Sequence, residues 1–382
     1  MKLALIGIGG LGCRAVGCIL DEQTDTQRAF ARENALVCDI ARAPTDELEA
    51  VPDVERTVIG DTSPHVTGDG IDGGPELAAQ VTRNDLPELR RTLDSVAIHE
   101  SDAVLVVVPL GTATGSGTGS VLVSELQETY DVPVYVLGVL PADDDDDESA
   151  LLAARGLRTV VPAADSTLLF DGELWDLTPA ETDGEYDETT DEGLRELATR
   201  VIPLFSAGER DGHRVAENAV DSSDIIRTLD PGGVASVGYA SATVEPDTRG
   251  LIGRLLSWLG STPDTPESTD AAKVKSLVQQ AANGRLTVSC DITSTERALV
   301  VLSGPPSELS RRGFESARQW LEDETDTVEI LAGDDPRPRS SALEVVVLFS
   351  NVTTVPRIDA LQSRAVARQR DHASDGPSSD PH

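Results

Sequence analysis

Apolar residues in the first half of the chain come in short, nearly unbroken runs. Residues 3–8, 34–38, 103–108 and 134–140 are such runs, and 168–170 is a shorter one. Runs of this length without alternation read as strands covered on both faces, the pattern of a parallel sheet. Residues 14–21 and 120–130 carry helix patterns between them. Strand alternating with helix predicts an α/β domain whose ligands sit at the strand C-terminal ends. Leu194, Leu197, Val201 and Leu204 then recur at helical spacing, which predicts a long amphipathic helix over 186–205, with Pro203 bending its last turn. Polar and glycine-bearing residues 207–214 end that pattern. From Pro231 the texture changes: 234–244, 286–292, 297–303 and 343–351 read as strands and 307–323 as a helix, an α+β arrangement. Residues 367–382 are polar, with Gly, Pro and Ser, and are expected to be disordered. No internal repeat is visible.

Composition narrows the function classes. The 382 residues suffice for two domains with separate cores. Net charge is −36, from 67 acidic against 31 basic residues, so a nucleic-acid backbone would meet a repelling surface. Lys2, Lys273 and Lys275 are the only lysines. This avoidance of lysine, with Asp-rich loops, resembles proteins of salt-loving archaea, where a Debye length of about 3 Å makes such charge tolerable. A hydrophobic share of 39% in well-formed runs argues against disorder as the reason for the charge. No run approaches the roughly 18 apolar residues of a membrane span. The N-terminal residues 1–7 read as a first strand and not as a leader ending at Cys13, so a cytoplasmic location is expected. Cys13, Cys18, Cys38 and Cys290 lack metal-site spacing and read as reduced thiols; no protein-held metal site is expected.

The chemistry concentrates in a few loops. Gly111-Thr112-Ala113-Thr114-Gly115-Ser116-Gly117 follows directly on the strand at 103–109 and precedes a helix. Small residues there let backbone N–H groups approach an anion, and the helix N-terminus adds its dipole. No Gly-Lys-Ser/Thr follows, so this is not a Walker loop. The first loop, Gly7-Ile8-Gly9-Gly10-Leu11-Gly12-Cys13-Arg14, formally satisfies a dinucleotide fingerprint through Gly7, Gly9 and Gly12. Asp39, however, lies further on than the usual spacing of about 20 residues. Gly70, Gly73 and Gly74 punctuate a third loop that reads as either an N–H nest or a plain surface turn. The aspartates at 143–147 read as a solvated loop. Asp221 and Asp224 have the spacing of a helix cap and a first-turn acid.

The 111–117 run is similar to the signature of the tubulin/FtsZ superfamily, Gly-Gly-Gly-Thr-Gly-Ser/Thr-Gly, with Thr112 and Ala113 at its second and third glycines. The first loop, the loop after the second strand and this signature occur in the family's order. Residues 135–141, 297–308, 330–339 and 351–357 resemble the CetZ branch, and the likeness extends over roughly 1–365. It implies a Rossmann-like parallel-sheet GTPase domain (1–185), a central helix (186–208), a catalytic loop and helix (209–230), a smaller α+β domain (231–365) and a disordered tail (366–382). It also implies GTP or GDP with Mg²⁺, held by Gly9, Gly10, Gly12, Cys13, Arg14, Asp39 and the signature residues Gly111, Thr112, Ala113, Thr114, Gly115, Ser116 and Gly117. Gly70, Gly73 and Gly74 would face the γ-phosphate. Asp171, Tyr186 and Thr190 would hold the nucleoside, Tyr186 by stacking and Thr190 at the base edge. Asp221 and Asp224 would be catalytic, inserted into the neighbouring subunit's site, so that subunits join head to tail into filaments with a role in cell shape. Homologous filament proteins are further possible partners. The departures at Thr112, Ala113, Asp39 and Thr190 keep a nucleotide-binding scaffold without turnover as an alternative. A division-ring FtsZ is disfavoured by the tail, and a dinucleotide oxidoreductase has support only in the first loop.

Overall fold

The structure is a computed structural model. It describes the chain except for residues 29, 32–33, 41–53, 68–69, 72, 144–146, 178–187, 208–218, 245–265, 328 and 375–382, and, inside helices, the side chains of 188, 266–270 and 371–374. The first half runs β1 (Leu3–Ile8), α1 (Gly9–Asp25), β2 (Ala35–Asp39), β3 (Val54–Val58), a small β4–β5 pair (Val66–Thr67, Gly70–Ile71), α2 (Pro75–Leu93), β6 (Ala103–Pro109), α3 (Ala113–Thr129), β7 (Val134–Leu140), α4 (Asp147–Val160) and β8 (Ser166–Asp171). α5 (Glu188–Ser206) and α6 (Ser222–Leu229) connect to the second half. There β9 (Val234–Thr243), α7 (Pro266–Asn283), β10 (Arg297–Gly304), α8 (Arg311–Thr325), β11 (Ile330–Pro336), β12 (Ala342–Ser350) and α9 (Pro356–Ser374) follow.

Among the described residues ten strands form one sheet in the order β11-β10-β12-β9-β8-β7-β6-β1-β2-β3. From β3 to β9 every pairing is parallel. Within the sheet, the described residues join the two halves at two residue pairs, Thr167 with Val234 and Leu168 with Ala235. Beyond them the strands part, and the segment expected to be a strand over 286–292 fills the gap as irregular chain. Its Thr287 N–H donates to Val237 O (2.9 Å) while its carbonyl accepts from Asp171 N–H (2.8 Å). The alternation of apolar and polar residues is strand-like, but the Thr287 peptide groups bridge two diverging strands instead of extending a ladder.

Helices cover both faces. α1 and α5 pack on one, through Leu194, Leu197, Val201 and Leu204, all buried as their spacing requires. α2, α3 and α4 lie with α7, α8 and α9 on the other. Pro203 remains inside α5. Several helices differ from the sequence expectation, α8 among them, which starts at Arg311 and not at 307. α1 begins at Gly9 and α3 at Ala113, so the glycine loops form first helical turns. α9 continues to Ser374, past the start of the expected tail, because residues 365–370 (Ala-Val-Ala-Arg-Gln-Arg) are mostly good helix formers.

Buried polar groups tie the halves together. Arg28, between α1 and β2, is ion-paired with Glu344 and donates to Ser303 Oγ (3.0 Å). Ser303 Oγ also donates to Asp335 Oδ2 (2.9 Å), and Arg337 links Asp335 (2.8 Å) to the Ser206 carbonyl (3.2 Å) at the end of α5.

Candidate functional site

The loops of interest leave the C-terminal ends of β1, β2, β6, β7 and β8, neighbours in the sheet. At the first exit the backbone passes from extended Ile8 into Gly9 at φ +70°, a conformation glycine adopts without a Cβ clash. Gly10 is half-buried, while Gly12 and Cys13 are buried against the sheet. Cys13 Sγ lies 3.8 Å from the Cys38 carbonyl, beside the end of β2. Asp39 closes that strand, buried, and its Oδ1 accepts from Ile40 N–H (2.6 Å). Arg14 points across to α5, where it is ion-paired with Asp191.

The second exit carries the signature loop. Thr112 is the N-cap of α3: its Oγ1 accepts from Gly115 N–H (2.9 Å) and its hydroxyl donates to Pro109 O (3.1 Å). A threonine at a glycine position of the family pattern therefore has a local task, capping, that glycine has no side chain to perform. Gly115, Ser116 and Gly117 are buried. A Cβ at Gly117 would stand 2.7 Å from Ala78 Cβ, so glycine is what lets α3 approach α2. The Ser116 hydroxyl is engaged by Leu110 O (2.6 Å) and Leu152 O (3.1 Å). The open side of the turn is thus Gly111 to Thr114. The N–H groups of Ala113 and Thr114 are the first two of the helix and have no acceptor within it, which makes them anion donors on the dipole's positive end.

Gly73 and Gly74 are exposed, and Gly74 is the N-cap of α2 with Pro75 at its first position. Gly70 lies in β5 at φ +123°. Asp171, at the end of β8, is buried and bonded by Arg357. Burial raises its carboxyl pKa above the ordinary range, with Arg357 opposing the rise. Thr190 is fully buried, and Tyr186 lies outside the described residues. Burial pushes the Cys18 and Cys290 thiols up to about 11 and Cys38 higher still, so these are inert thiols.

Asp221 and Asp224 form a reciprocal capping box at the start of α6. Asp221 Oδ1 accepts from Ser223 N–H (2.9 Å) and Asp224 N–H (3.3 Å), and Asp224 Oδ2 accepts from Asp221 N–H (3.1 Å). Asp221 is exposed and Asp224 half-buried. Just before them Ala219 bridges to Asp334 of β11, three residues from the Arg337 that binds the last turn of α5. Asp191 and Ser206 mark opposite ends of α5, about 22 Å apart at 1.5 Å per residue. The two aspartates therefore stand at the end of α5 remote from Arg14 and the glycine loops. Sequence reasoning missed Asp191 and Arg357 as residues at the site edge; the first is adjacent to Thr190, and the second ends the 351–357 stretch.

A parallel sheet with a capped small-residue loop at a helix start, joined by a central helix to a second half, defines a tubulin/FtsZ-type nucleotide-binding protein. Residues 2–175 match the family model for the tubulin/FtsZ GTPase domain, and 185–367 match that for the C-terminal domain of tubulin-like CetZ. The chain is 43% identical to the tubulin-like protein CetZ3 of Haloferax volcanii over 372 residues, 97% of this chain and 93% of that one. Its fold matches the GDP-bound monomer of CetZ1 from Haloferax volcanii with a TM-score of 0.81 at 36% identity, over 97% of this chain and 100% of the other. It matches the GTPγS-bound protofilament of CetZ2 from the same organism equally, with a TM-score of 0.81 at 32% identity over 98% and 100%. The chain belongs to the tubulin-like CetZ family. Among the described residues no helix is long and apolar enough to cross a membrane.

Proposed function

We propose that the protein is a cytoskeletal GTPase that polymerises head to tail in the cytoplasm, converting GTP and water to GDP and phosphate at the contact between subunits. The carrying observation is the separation of Asp221 and Asp224 from the glycine loops along α5. Within one chain the aspartates are on the wrong side of the domain; across a head-to-tail contact they would meet the next subunit's nucleotide. Such a contact is heterologous and does not close, so it propagates a filament. The GTPγS-bound protofilament of the CetZ2 relative is in keeping with this reading.

In this mechanism the N–H groups of Gly10, Ala113 and Thr114 hold phosphate oxygens, and the α3 dipole favours the charge there. Gly73 and Gly74, at the start of α2 beside α3, would sense the γ-phosphate. The neighbour's Asp221 and Asp224, held rigid by their capping box, orient water for in-line attack on the γ-phosphorus. The bond from that phosphorus to the bridging oxygen breaks, and its electron pair leaves with GDP. Mg²⁺ would be carried mainly by phosphate oxygens and water, with the neighbour's Asp221 and Asp224 helping to hold it. When bound, Mg²⁺ would neutralise phosphate charge.

A scaffold that binds nucleotide without turnover, or modulates homologous filaments, is the second reading, favoured by the full burial of Thr190, the residue expected at the base edge. A role in cell shape rests on the family likeness alone. Heating the salt-matched protein with GTP, GDP, ATP or buffer tests the binding step. GTP and GDP should stabilise by about 2.7 kcal/mol at a hundredfold excess over Kd, and ATP by less. Equal melting in all four would contradict the proposal.

A further inference from the structure

Residues 351–357 end on Val355-Pro356-Arg357, and nothing in the nucleotide reading uses them. Pro356 opens α9 and Arg357 is its second residue, with a side chain only 8% exposed. The guanidinium reaches three acceptors. Its Nε donates to Asp171 Oδ1 (3.0 Å), one terminal nitrogen to the Asp143 carboxylate, and the other to Pro141 O (2.6 Å). Pro141 and Asp143 leave β7, whereas Asp171 ends the neighbouring parallel strand, β8, in register with Leu140. Glu173 braces the same two loops: its N–H donates to Asp171 Oδ1 (3.3 Å), and its Oε2 accepts from Asp143 N–H (2.7 Å). Two turns along α9, Arg364 donates to Asp143 and to Asp147 of α4 (3.3 Å each). Pro141 also lies against the phosphate loop, since a Cβ at Gly111 would stand 2.8 Å from Pro141 Cβ.

We propose that Arg357 is a positioning residue of the nucleotide site: it locks the loops after β7 and β8 to each other and to the C-terminal helix, and through Pro141 it supports the start of the phosphate loop. The proposal rests on the nucleotide-binding reading above. A planar fork with fixed donors suits three acceptors on two loops, and a lysine ammonium, which acts as one point, does not reproduce it. Burying an arginine between two carboxylates is a poor way to gain stability compared with apolar packing. What it provides is fixed geometry, and small misplacements at a ligand site carry large costs.

The test compares Arg357→Gln and Arg357→Lys with Leu361→Ala, which truncates a fully buried α9 side chain that packs in the core. GTP and GDP dissociation constants and apo melting points are measured on each, below every melting point. Arg357→Gln should weaken both nucleotides by about tenfold or more, and Arg357→Lys should weaken them while keeping the fold. Leu361→Ala should melt lower yet bind within about twofold of the parent. Parent-like affinity in a folded Arg357→Gln or Arg357→Lys protein would overturn the proposal, as would equal weakening by Leu361→Ala. If Arg357→Gln does not fold, Arg357→Lys decides by the same criterion. A parent chain that binds neither GTP nor GDP overturns the nucleotide reading itself, and the proposal with it.

Discussion

Arg14 in the second turn of α1 is ion-paired with Asp191 in the first turn of α5, tying together the helix that starts at the first glycine loop and the helix that carries Thr190. Successive helix residues point about 100° apart. Thr190 faces the core, fully buried, while the Asp191 side chain is 41% exposed. A carboxylate can accept from both the N1–H and the N2 amine of guanine, and inosine lacks that amine. Asp191→Ala should therefore erase most of any preference for GTP over ITP, about 1.5–3 kcal/mol for a hydrogen bond to a charged group. Thr190→Val should change that preference less than twofold. Loss of discrimination in Thr190→Val alone would return the base-reading role to Thr190.

Thr112 caps α3 through Gly115 N–H. Thr112→Ala should cost about 0.5–2 kcal/mol of stability, and Thr112→Gly, which restores the family glycine, only a few tenths. Both should still bind GTP, because the donors of the cradle are main-chain. Denaturant melts in matched salt read the first effect and nucleotide titration the second.

Acid stability has an identifiable contributor. Arg90 of α2 donates to both oxygens of buried Glu125 on α3, at 2.6 and 2.9 Å. That pair holds the Glu125 carboxyl below its ordinary pKa. A depressed folded pKa gives stability that is present above the unfolded value, about 4.3, and is lost as pH falls through the folded one. Glu125→Gln should lower the melting point near neutrality and flatten its decline below about pH 4.3. A variant whose acid decline is as steep as the parent's would show that other carboxylates control it.

β1, β2, β6, β7 and β8, the amphipathic face of α5 and the Asp221 cap were legible because each is a local pattern: an apolar run, a period near 3.6, a capping spacing. β3 and the β4–β5 pair, short and broken by polar residues or glycine, carry no such run. The starts of α1 and α3 were not, since glycines that read as loop are admitted into first helical turns by close packing with neighbouring elements. Residues 286–292 carry a strand's composition, but the Thr287 peptide groups are claimed by two separating strands. Arg357 and Asp171 stand 186 residues apart, and only the fold brings them together. The asymmetry between Thr190 and Asp191 is likewise tertiary: which of two adjacent polar residues faces inward depends on how α5 lies against α1.

In the proposed mechanism Asp221 and Asp224 act on the nucleotide of another subunit. GTP turnover per subunit, measured against protein concentration in the parent and in Asp221→Ala, tests it most directly. If the two aspartates act in trans, the rate per subunit rises with concentration in the parent. Asp221→Ala then binds GTP with nearly parental affinity yet turns over almost none, even though losing the cap costs only about 0.5–2 kcal/mol. A rate per subunit that is independent of concentration, together with turnover in Asp221→Ala that falls only as far as its folded fraction, would contradict that mechanism.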